Sequence, residues 1–425
     1  MSADIYRRCG CRDENKRQFA SLPVGASPEQ IARACPLLVS DPKHGKWGFY
    51  LAGGVDPRTG KRLQIRQATF STKAEAQKAR NAEAVKLDRG TYVAPTKEVY
   101  ADYLAKWLPR RAVTGKGLAA TTLDNYARYI RNDIAPSALG RMKLTDIRRF
   151  HINAFVAEQM DAGRGATTIR RMAAVIQGSL RAAEKSALID HNPSLGIELP
   201  AVESKKVKVW EPDQVGVFLD TAAKHRLSAL FETVVFTGLR RGEAIGLRWS
   251  DVDMTKRRIT VANNRTQAGP AIVEGDVKTV AGQNRVIDID DTLAGVLIAW
   301  KLTQQQEADE WGEAYRDSGY IFTYENGEPL KPQYATRLFD KLRVKAKLPK
   351  LTFHGQRHEN ASLMIASGTD IAVVSKRLGH TSVGITSDIY GHLIGSASRD
   401  AAERAAAIVP RKAVTAHTLH THEAL

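Results

Sequence analysis

The sequence predicts a multidomain, mainly α chain. A small N-terminal α+β module comes first, then an all-helical domain, then a mixed α/β domain that is mostly α with a small antiparallel sheet. Three observations carry this. The chain has 425 residues, enough for roughly two to four domains rather than one core. Apolar residues recur at helical spacing over most of its length. Period-two alternation is confined to two short stretches, around residues 45–70 and 257–290.

Residues 1–95 form the first module. "GKWGFYLAGGVDPRTGKRLQIRQATF" alternates around Trp47, Phe49 and Leu51, then Leu63 and Ile65, with the turn chemistry of "DPRTG" between. A hairpin follows from that pattern. In "STKAEAQKARNAEAVKLDRG", Thr72 and Glu75 have capping-box spacing and the Ala, Lys and Glu content favours a helix. Residues 97–195 read as all helix: Trp107, Leu123, Tyr126 and Ile130 share a face, as do Ile169, Met172, Val175 and Ile176. "TDIRRFHINAFVAEQM" and "TTIRRMAAVIQGSLRAAEKSAL" each open on a threonine able to cap, and each carries an arginine pair, Arg148 with Arg149 and Arg170 with Arg171. Residues 196–207 make an exposed linker, rich in lysine toward its end. The third domain, 208–405, has helices around 213–223 and 228–249, strands around 257–290, then helices again; 406–425 is a polar tail.

Charge points to a partner. Lys and Arg number 63 against 46 Asp and Glu, a formal charge of +17, so a polyanion is favoured over a membrane surface. The arginine pairs, repeated on two helices of such a chain, suit phosphate contact, although a solvated face is the bland alternative. No apolar run approaches the ~18 residues that span a bilayer, and the N-terminus lacks a signal-peptide core. With three cysteines, a disulfide framework is disfavoured and a cytoplasmic setting is expected.

Four stretches of the third domain could carry chemistry. In "FTGLRRGEAIGLRWSDVD", Gly238 breaks an apolar helix, Arg240 follows the break, and Glu243 opens a second helix containing Ile245, Leu247 and Trp249; Glu243 is placed to orient Arg240. In "VEGDVKTVAGQNRVIDI", alternation on both sides of "TVAGQN" suggests a hairpin with Lys278 at the end of its first strand. In "LTFHGQRHENASLMIASG", His354 and Arg357 share a helix face. His354 with His358 lacks the glutamate and third ligand of a zinc site. "LGHTSVGITSDIYGHL" places His380 ten residues before Tyr390. Each has a bland reading alone. Together, two guanidinium forks, an ammonium, two imidazoles and a phenol, without a carboxylate pair or thiol nucleophile, suit attack on a phosphodiester.

In that order, "TGLRRGE", a hairpin lysine, "HGQRH", "LGH" and the later tyrosine resemble the catalytic domain of tyrosine recombinases, the phage and mobile-element integrases. Trp107, "TTLDNY", "LGRMKLTDI" and "NP" in residues 97–195 resemble the family's helical core-binding domain, and the N-terminal hairpin and helix its arm-type DNA-binding module. Gly355 and Glu359 depart from the usual pattern, which has an acidic residue after the first histidine of the box and Thr or Ser after the second.

The resemblance implies a site-specific recombinase that integrates or excises a mobile element. Tyr390 would attack the scissile phosphate to form a 3′-phosphotyrosyl link, conserving bond energy without ATP, metal or other cofactor. Arg240 and Arg357 would hold the phosphate, Lys278 would protonate the leaving 5′-oxygen, His354 would accept or orient the Tyr390 proton, and His380 would bond a phosphate oxygen. Lys256 and Lys301 are poor substitutes for Lys278. The implied partners are core and arm attachment sites on duplex DNA, a homotetramer assembled there, an excision factor and a host DNA-bending protein. A helix over "SASRDAAERAAAIV" would pack on a neighbouring protomer.

Cys9, Cys11, Cys35 and His44 could hold zinc, but the spacing alone favours idle thiols, and no metal site is assigned from sequence. "HTLHTH" in the tail is too loose for a metal site. The competing readings are a catalytically silent DNA-binding regulator and a topoisomerase-like enzyme that nicks and reseals one strand.

Overall fold

A computed structural model describes residues 5–55, 60, 62–89, 92, 96–115, 117–202, 208–276, 280–390, 403 and 405–409. It divides into two compact units: residues 1–117 with 126–202, and residues 118–125 with 203–425. No helix among the described residues is long and apolar enough to cross a membrane.

The first unit opens on β1 (Ile5–Arg8), β2 (Leu22–Pro23), the short helices α1 (Pro28–Ala32) and α2 (Pro36–Ser40), then β3 (Lys46–Val55), β4 (Arg62–Phe70) and α3 (Lys73–Asp88). The expected hairpin is β3 with β4: Leu51 faces Ile65 across the ladder. The sequence does not announce that β1 joins the other edge of β3, making a four-stranded sheet in the order β2-β1-β3-β4. Residues 56–59 of the hairpin turn lie outside those described. Thr72 caps α3 as its spacing predicts, accepting from the Glu75 amide while Glu75 reaches back to the cap. One side of α3 packs on β3, and Ile5, Phe49, Ile65 and Ala76 are the buried centre.

Helices α4 (Tyr100–Val113), α5 (Ala120–Tyr129), α6 (Arg149–Asp161) and α7 (Ala166–Lys185) follow. Trp107 and Tyr126 stack with ring centroids 6.4 Å apart. Tyr100, Leu104, Ile152, Phe155, Met172 and Ile176 are part of the core beneath. The threonine caps are corrected. Thr145 sits in a separate turn and α6 is capped at Arg148, while Thr167 and Thr168 lie inside α7, whose cap is Gly165.

The second unit contains α8 (Pro212–Ala222), α9 (Ser228–Thr237), α10 (Arg241–Ile245), β5 (Val252–Asp253), β6 (Arg258–Val261), β7 (Asn263–Ala268), β8 (Ala271–Asp276), β9 (Arg285–Asp288), α11 (Asp291–Trp311), α12 (Pro332–Lys345), α13 (Gly355–Ala366), α14 (Ile371–Leu378) and α15 (Val383–Tyr390). Helix α9 is apolar over most of its surface because neighbours cover most of it: α13, α11 and α8 all pack on it, and Phe231, Val234 and Val235 are buried while Phe236 is exposed. Gly246 ends α10, so Leu247 and Trp249, expected inside it, lie beyond it. The hairpin expected across residues 273–289 is also corrected. Strand β8 pairs with β7, whereas β9 pairs with β6. Alternation turns Arg285 and Ile287 inward and leaves Val286 exposed, and Ile287 faces Ile259 across the ladder. Of the helix expected after Tyr390, only residues 403 and 405–409 are described.

Gly238, at the end of α9, has φ +65°, and a Cβ there would meet Asn360 Oδ1 and Leu378 Cδ2 at 2.7 Å. Gly216, within α8, has open space around it. Gly238→Ala should lower the stability of this unit in chemical denaturation by about 1–3 kcal/mol, while Gly216→Ala should raise it by roughly 0.5–1 kcal/mol. Equal effects would contradict the assigned backbone.

Candidate active site

The site is built where two helices end. Helix α9 stops at Gly238 and α14 at Gly379, both in the left-handed conformation that lets a chain turn sharply. Arg357, one turn into α13, donates Nη1 to Gly238 O at 2.9 Å and Nη2 to Leu378 O. The guanidinium is thus held by carbonyls at the negative ends of two helices, with only 3% of the residue exposed. Burial first, then the nearby Arg240 charge, brings its pKa down to about 9, with Glu243 opposing. It remains a cation at neutral pH.

Arg240 is placed by the break after α9. Its Nη1 donates to Glu243 Oε1 at 2.8 Å and its amide to Glu243 Oε2 at 2.9 Å. The orienting contact expected from sequence is present. Arg285, which sequence reasoning missed, sits on the other side of Glu243: Nη2 donates to Oε2 at 2.7 Å and Nη1 to Oε1 at 3.2 Å. Its Nε donates to Arg377 O at 2.9 Å. Burial opposes ionisation of Glu243, but the bonds and charge of Arg285, then Arg240, prevail and hold the carboxyl at about 2.

Tyr390 is buried against Ala361, Ile365, Val374 and Leu378. Its hydroxyl lies 2.5 Å from Nδ1 of His358. This corrects the expectation that His354 receives the Tyr390 proton: His354 stands one turn earlier, its ring edge-on to His358 at 5.3 Å. His358 was dismissed with the discarded zinc pair. Its spacing from Arg357 and the later tyrosine was the available signal. Burial, then Arg357, lowers the His358 pKa, so the imidazole is neutral. In the tautomer protonated at Nε2, the phenol donates and Nδ1 accepts.

His380 follows Gly379, and its Nδ1 lies 2.8 Å from the Thr386 hydroxyl. Thr386 and Tyr390 are four apart on α15 and share a face, so His380 and His358 hold the inner side of that helix at two points. Burial and then Arg357 push His380 down to about 4. His354 is also brought to about 4, by burial, His358, Arg357 and Arg240, although it is exposed and solvent moderates the shift. Burial raises the Tyr390 pKa, partly offset by Arg357 and reinforced by Glu359. Glu359 accepts the Trp210 amide at 2.6 Å, and burial lifts it to about 7.

The structure therefore brings Arg240, Glu243, His354, Arg357, His380 and Tyr390 together, and adds Arg285 and His358. Lys278 lies outside the described residues. Arg148, Arg149, Arg170 and Arg171 are exposed in the first unit; Arg148 bonds Thr145 O at 2.8 Å and Arg170 bonds Pro200 O at 2.8 Å.

A family model described as the phage integrase family matches residues 208–395. That match covers every element of this site. The chain belongs to the phage integrase family of tyrosine recombinases. A XerC-like tyrosine recombinase of Caldanaerobacter subterraneus is 25% identical over 379 residues, 85% of this chain and 96% of that protein. The ICEBs1 integrase of Bacillus subtilis is 26% identical over 379 residues, 87% of this chain and 99% of that one. Among solved structures, the Tn1549 transposon integrase in complex with a circular intermediate DNA superposes with TM-score 0.60 at 18% identity, covering 72% of this chain and 99% of that one. A lambda integrase tetramer bound to a Holliday junction gives 0.53 at 18% identity, covering 81% and 92%. The fold is shared with both. This tyrosine recombinase is an enzyme of site-specific recombination, cleaving and rejoining DNA through a phosphotyrosine intermediate.

Buried Glu243 gives this recombinase a characteristic acid limb. Its carboxyl is depressed from 4.5 to about 2, so its contribution is complete above 4.5 and lost as pH falls toward 2. His354 and His380, depressed from 6.5 to about 4, are neutral when folded and take up protons on unfolding, so stability already declines as pH falls from 6.5 to 4. Urea titrations across pH should show both stages. Glu243→Gln should remove the lower stage and cost roughly 3–5 kcal/mol at neutral pH by leaving two arginines without their counter-charge.

Proposed function

We propose that this recombinase integrates and excises a mobile element and that Tyr390 is its nucleophile. The observation that carries the reading is the short contact between the Tyr390 hydroxyl and His358 Nδ1, beside two cationic forks held by protein groups. A phenol ordinarily titrates near ~10 and is a weak nucleophile at neutral pH. Here burial makes ionisation harder still, so the proton must have somewhere to go as the bond to phosphorus forms. His358 Nδ1 accepts it. Tyr390 Oη bonds the phosphorus, the bond to the 5′-oxygen breaks, and that oxygen takes a proton from Lys278. The partner strand's 5′-hydroxyl reverses these steps.

Arg240 and Arg357 supply positive charge where the phosphorane develops negative charge. Each is anchored before substrate arrives, so little reorganisation accompanies the reaction. His354 and His380, neutral at pH 7, are suited to donate an N–H to phosphate oxygens, as neutral imidazoles keep one donor each.

Duplex DNA and an oligomer assembled on it are the partners this reading requires. The helical domain, 97–195, takes the core site with Arg148, Arg149, Arg170 and Arg171 toward phosphates, and the catalytic domain, 208–405, closes on the same duplex through the 196–207 linker. The N-terminal module takes arm sites. Its sheet has a groove lined by Tyr6, Arg8, Tyr50 and Arg66 among others, with the Arg66 guanidinium 5.2 Å from the centre of the Tyr50 ring. Such basic and aromatic surfaces suit nucleic acid. Tethering raises the effective concentration of the second site. An excision factor and a host DNA-bending protein complete the assembly.

Tyr390→Phe should retain DNA binding and form no covalent adduct with a nicked duplex; an adduct with that variant would refute the assignment. His358→Ala should slow adduct formation by about 10²–10⁴-fold, whereas His354→Ala should leave the Tyr390 proton its acceptor. If the core-site reading holds, replacing Arg149 and Arg171 by Ala should weaken binding to all duplexes alike and make the slope of log K against log salt shallower by about two. An unchanged slope would remove them from the interface.

A further inference from the structure

We propose that Cys9, Cys11, Cys35 and His44 bind one zinc ion in a closed, structural site that ties β1, α2 and the start of β3 together. The four come from separated points in the sequence. Cys9 and Cys11 follow β1, Cys35 caps α2, and His44 precedes β3. Their ligand atoms nevertheless all lie within 4.8 Å of one another. His44 Nε2 is 3.4 Å from Cys11 Sγ and 3.9 Å from Cys35 Sγ. A tetrahedral zinc with Zn–S near ~2.3 Å and Zn–N near ~2.0–2.1 Å requires ligand–ligand edges of about 3.5–3.8 Å. The two measured edges bracket that range.

The surroundings hold this geometry. Arg8 faces Lys46 across the β1·β3 ladder, which brings Cys9 to the loop that carries His44. The Arg7 guanidinium donates to Leu38 O at 3.1 Å and to Asp41 O and His44 O at 2.6 Å each, clamping the segment between α2 and β3. Gly45, at φ +83°, lets that segment close: a Cβ there would meet Arg8 O at 2.6 Å. These contacts fix the ligands from behind, as second-layer partners do in metal sites.

The module also has reason to use a staple. Among the described residues its apolar cluster has four buried side chains, Ile5, Phe49, Ile65 and Ala76. Ala34, Cys35 and Leu38 are buried separately, beside the thiols. A core of that size contributes little stability alone, and small domains commonly add a metal. Zinc is the metal these groups select: three thiolates and an imidazole are soft and borderline ligands in a closed set of four, which marks a structural rather than a catalytic site. All three cysteines are free thiols, and a disulfide between any two would leave the third thiol and the imidazole without a role. Binding releases the protons of the three thiols and keeps His44 neutral.

The test uses the full-length, tag-free protein purified without added metal or chelator. Elemental analysis should find zinc at one per chain, and Cys35→Ser and His44→Ala should lose it. Substituting cobalt into the wild type should give the visible d–d bands of tetrahedral coordination and thiolate charge-transfer absorption. After metal removal under denaturing, non-reducing conditions, three thiols should titrate. A wild type without zinc that gives no tetrahedral cobalt spectrum, a titration of one thiol, or variants with undiminished zinc would overturn the proposal. The last would place the metal elsewhere, the histidines of the tail included. The wild-type spectrum and thiol count decide the matter even if a variant fails to fold.

Discussion

The candidate active site depends on one buried carboxylate. Glu243 is 1% exposed and lies between Arg240 and Arg285. A lone buried charge costs several kcal/mol, and a pair recovers that only with good geometry and further bonds. Glu243 has both, accepting also from the Arg240 amide. Its position follows from the backbone, because Gly238 ends α9 and Glu243 falls in the first turn of α10. The same glycine's carbonyl receives Arg357. One helix end therefore places both guanidinium groups, and the site is positively charged and held by protein groups alone.

The second half of the site is organised around α15. Its inner face carries Thr386 and Tyr390, bonded to His380 and His358. His358 lies one residue from Arg357 and one from Glu359, and Glu359 accepts from the Trp210 amide. Trp210 stands just before α8, with its ring near Phe218 and Phe339. Contacts to Trp210, to the buried core and to Tyr390 thus meet within one turn of α13. Burial makes Tyr390 a poor acid, and the His358 ring nitrogen beside its hydroxyl is the acceptor that offsets this.

Much of this was legible in the sequence because the decisive residues stand beside structural punctuation. Gly238 and Gly379 mark helix ends, and Arg240 and His380 follow them. Arg357 is recognisable by its box, and Thr72 by its partner Glu75. What was not legible depends on long-range pairing. Arg285 reads as an ordinary basic residue until β9 is seen to pair with β6, not β8, which turns it inward beside Ile287. His354 and His358 share a helix face, and only the docking of α15 decides which meets Tyr390. The thiols near the N-terminus looked idle because Cys35 and His44 join Cys9 and Cys11 only once β1 pairs with β3. Local pattern identified the elements, whereas partner choice among strands and helices assigned the site's inner layer.

The claim at the centre is that Glu243 serves catalysis by holding Arg240. The direct measurement is the rate of covalent adduct formation on a nicked duplex that traps the cleaved strand, for the wild type, Arg240→Lys, Glu243→Gln and the double variant. Residues acting as a unit are non-additive, with coupling of about 0.5–3 kcal/mol. The account predicts a double variant scarcely slower than the worse single one, so that the combined loss falls well short of the product of the two. Losses that multiply would show that Glu243 and Arg240 act separately and would contradict it.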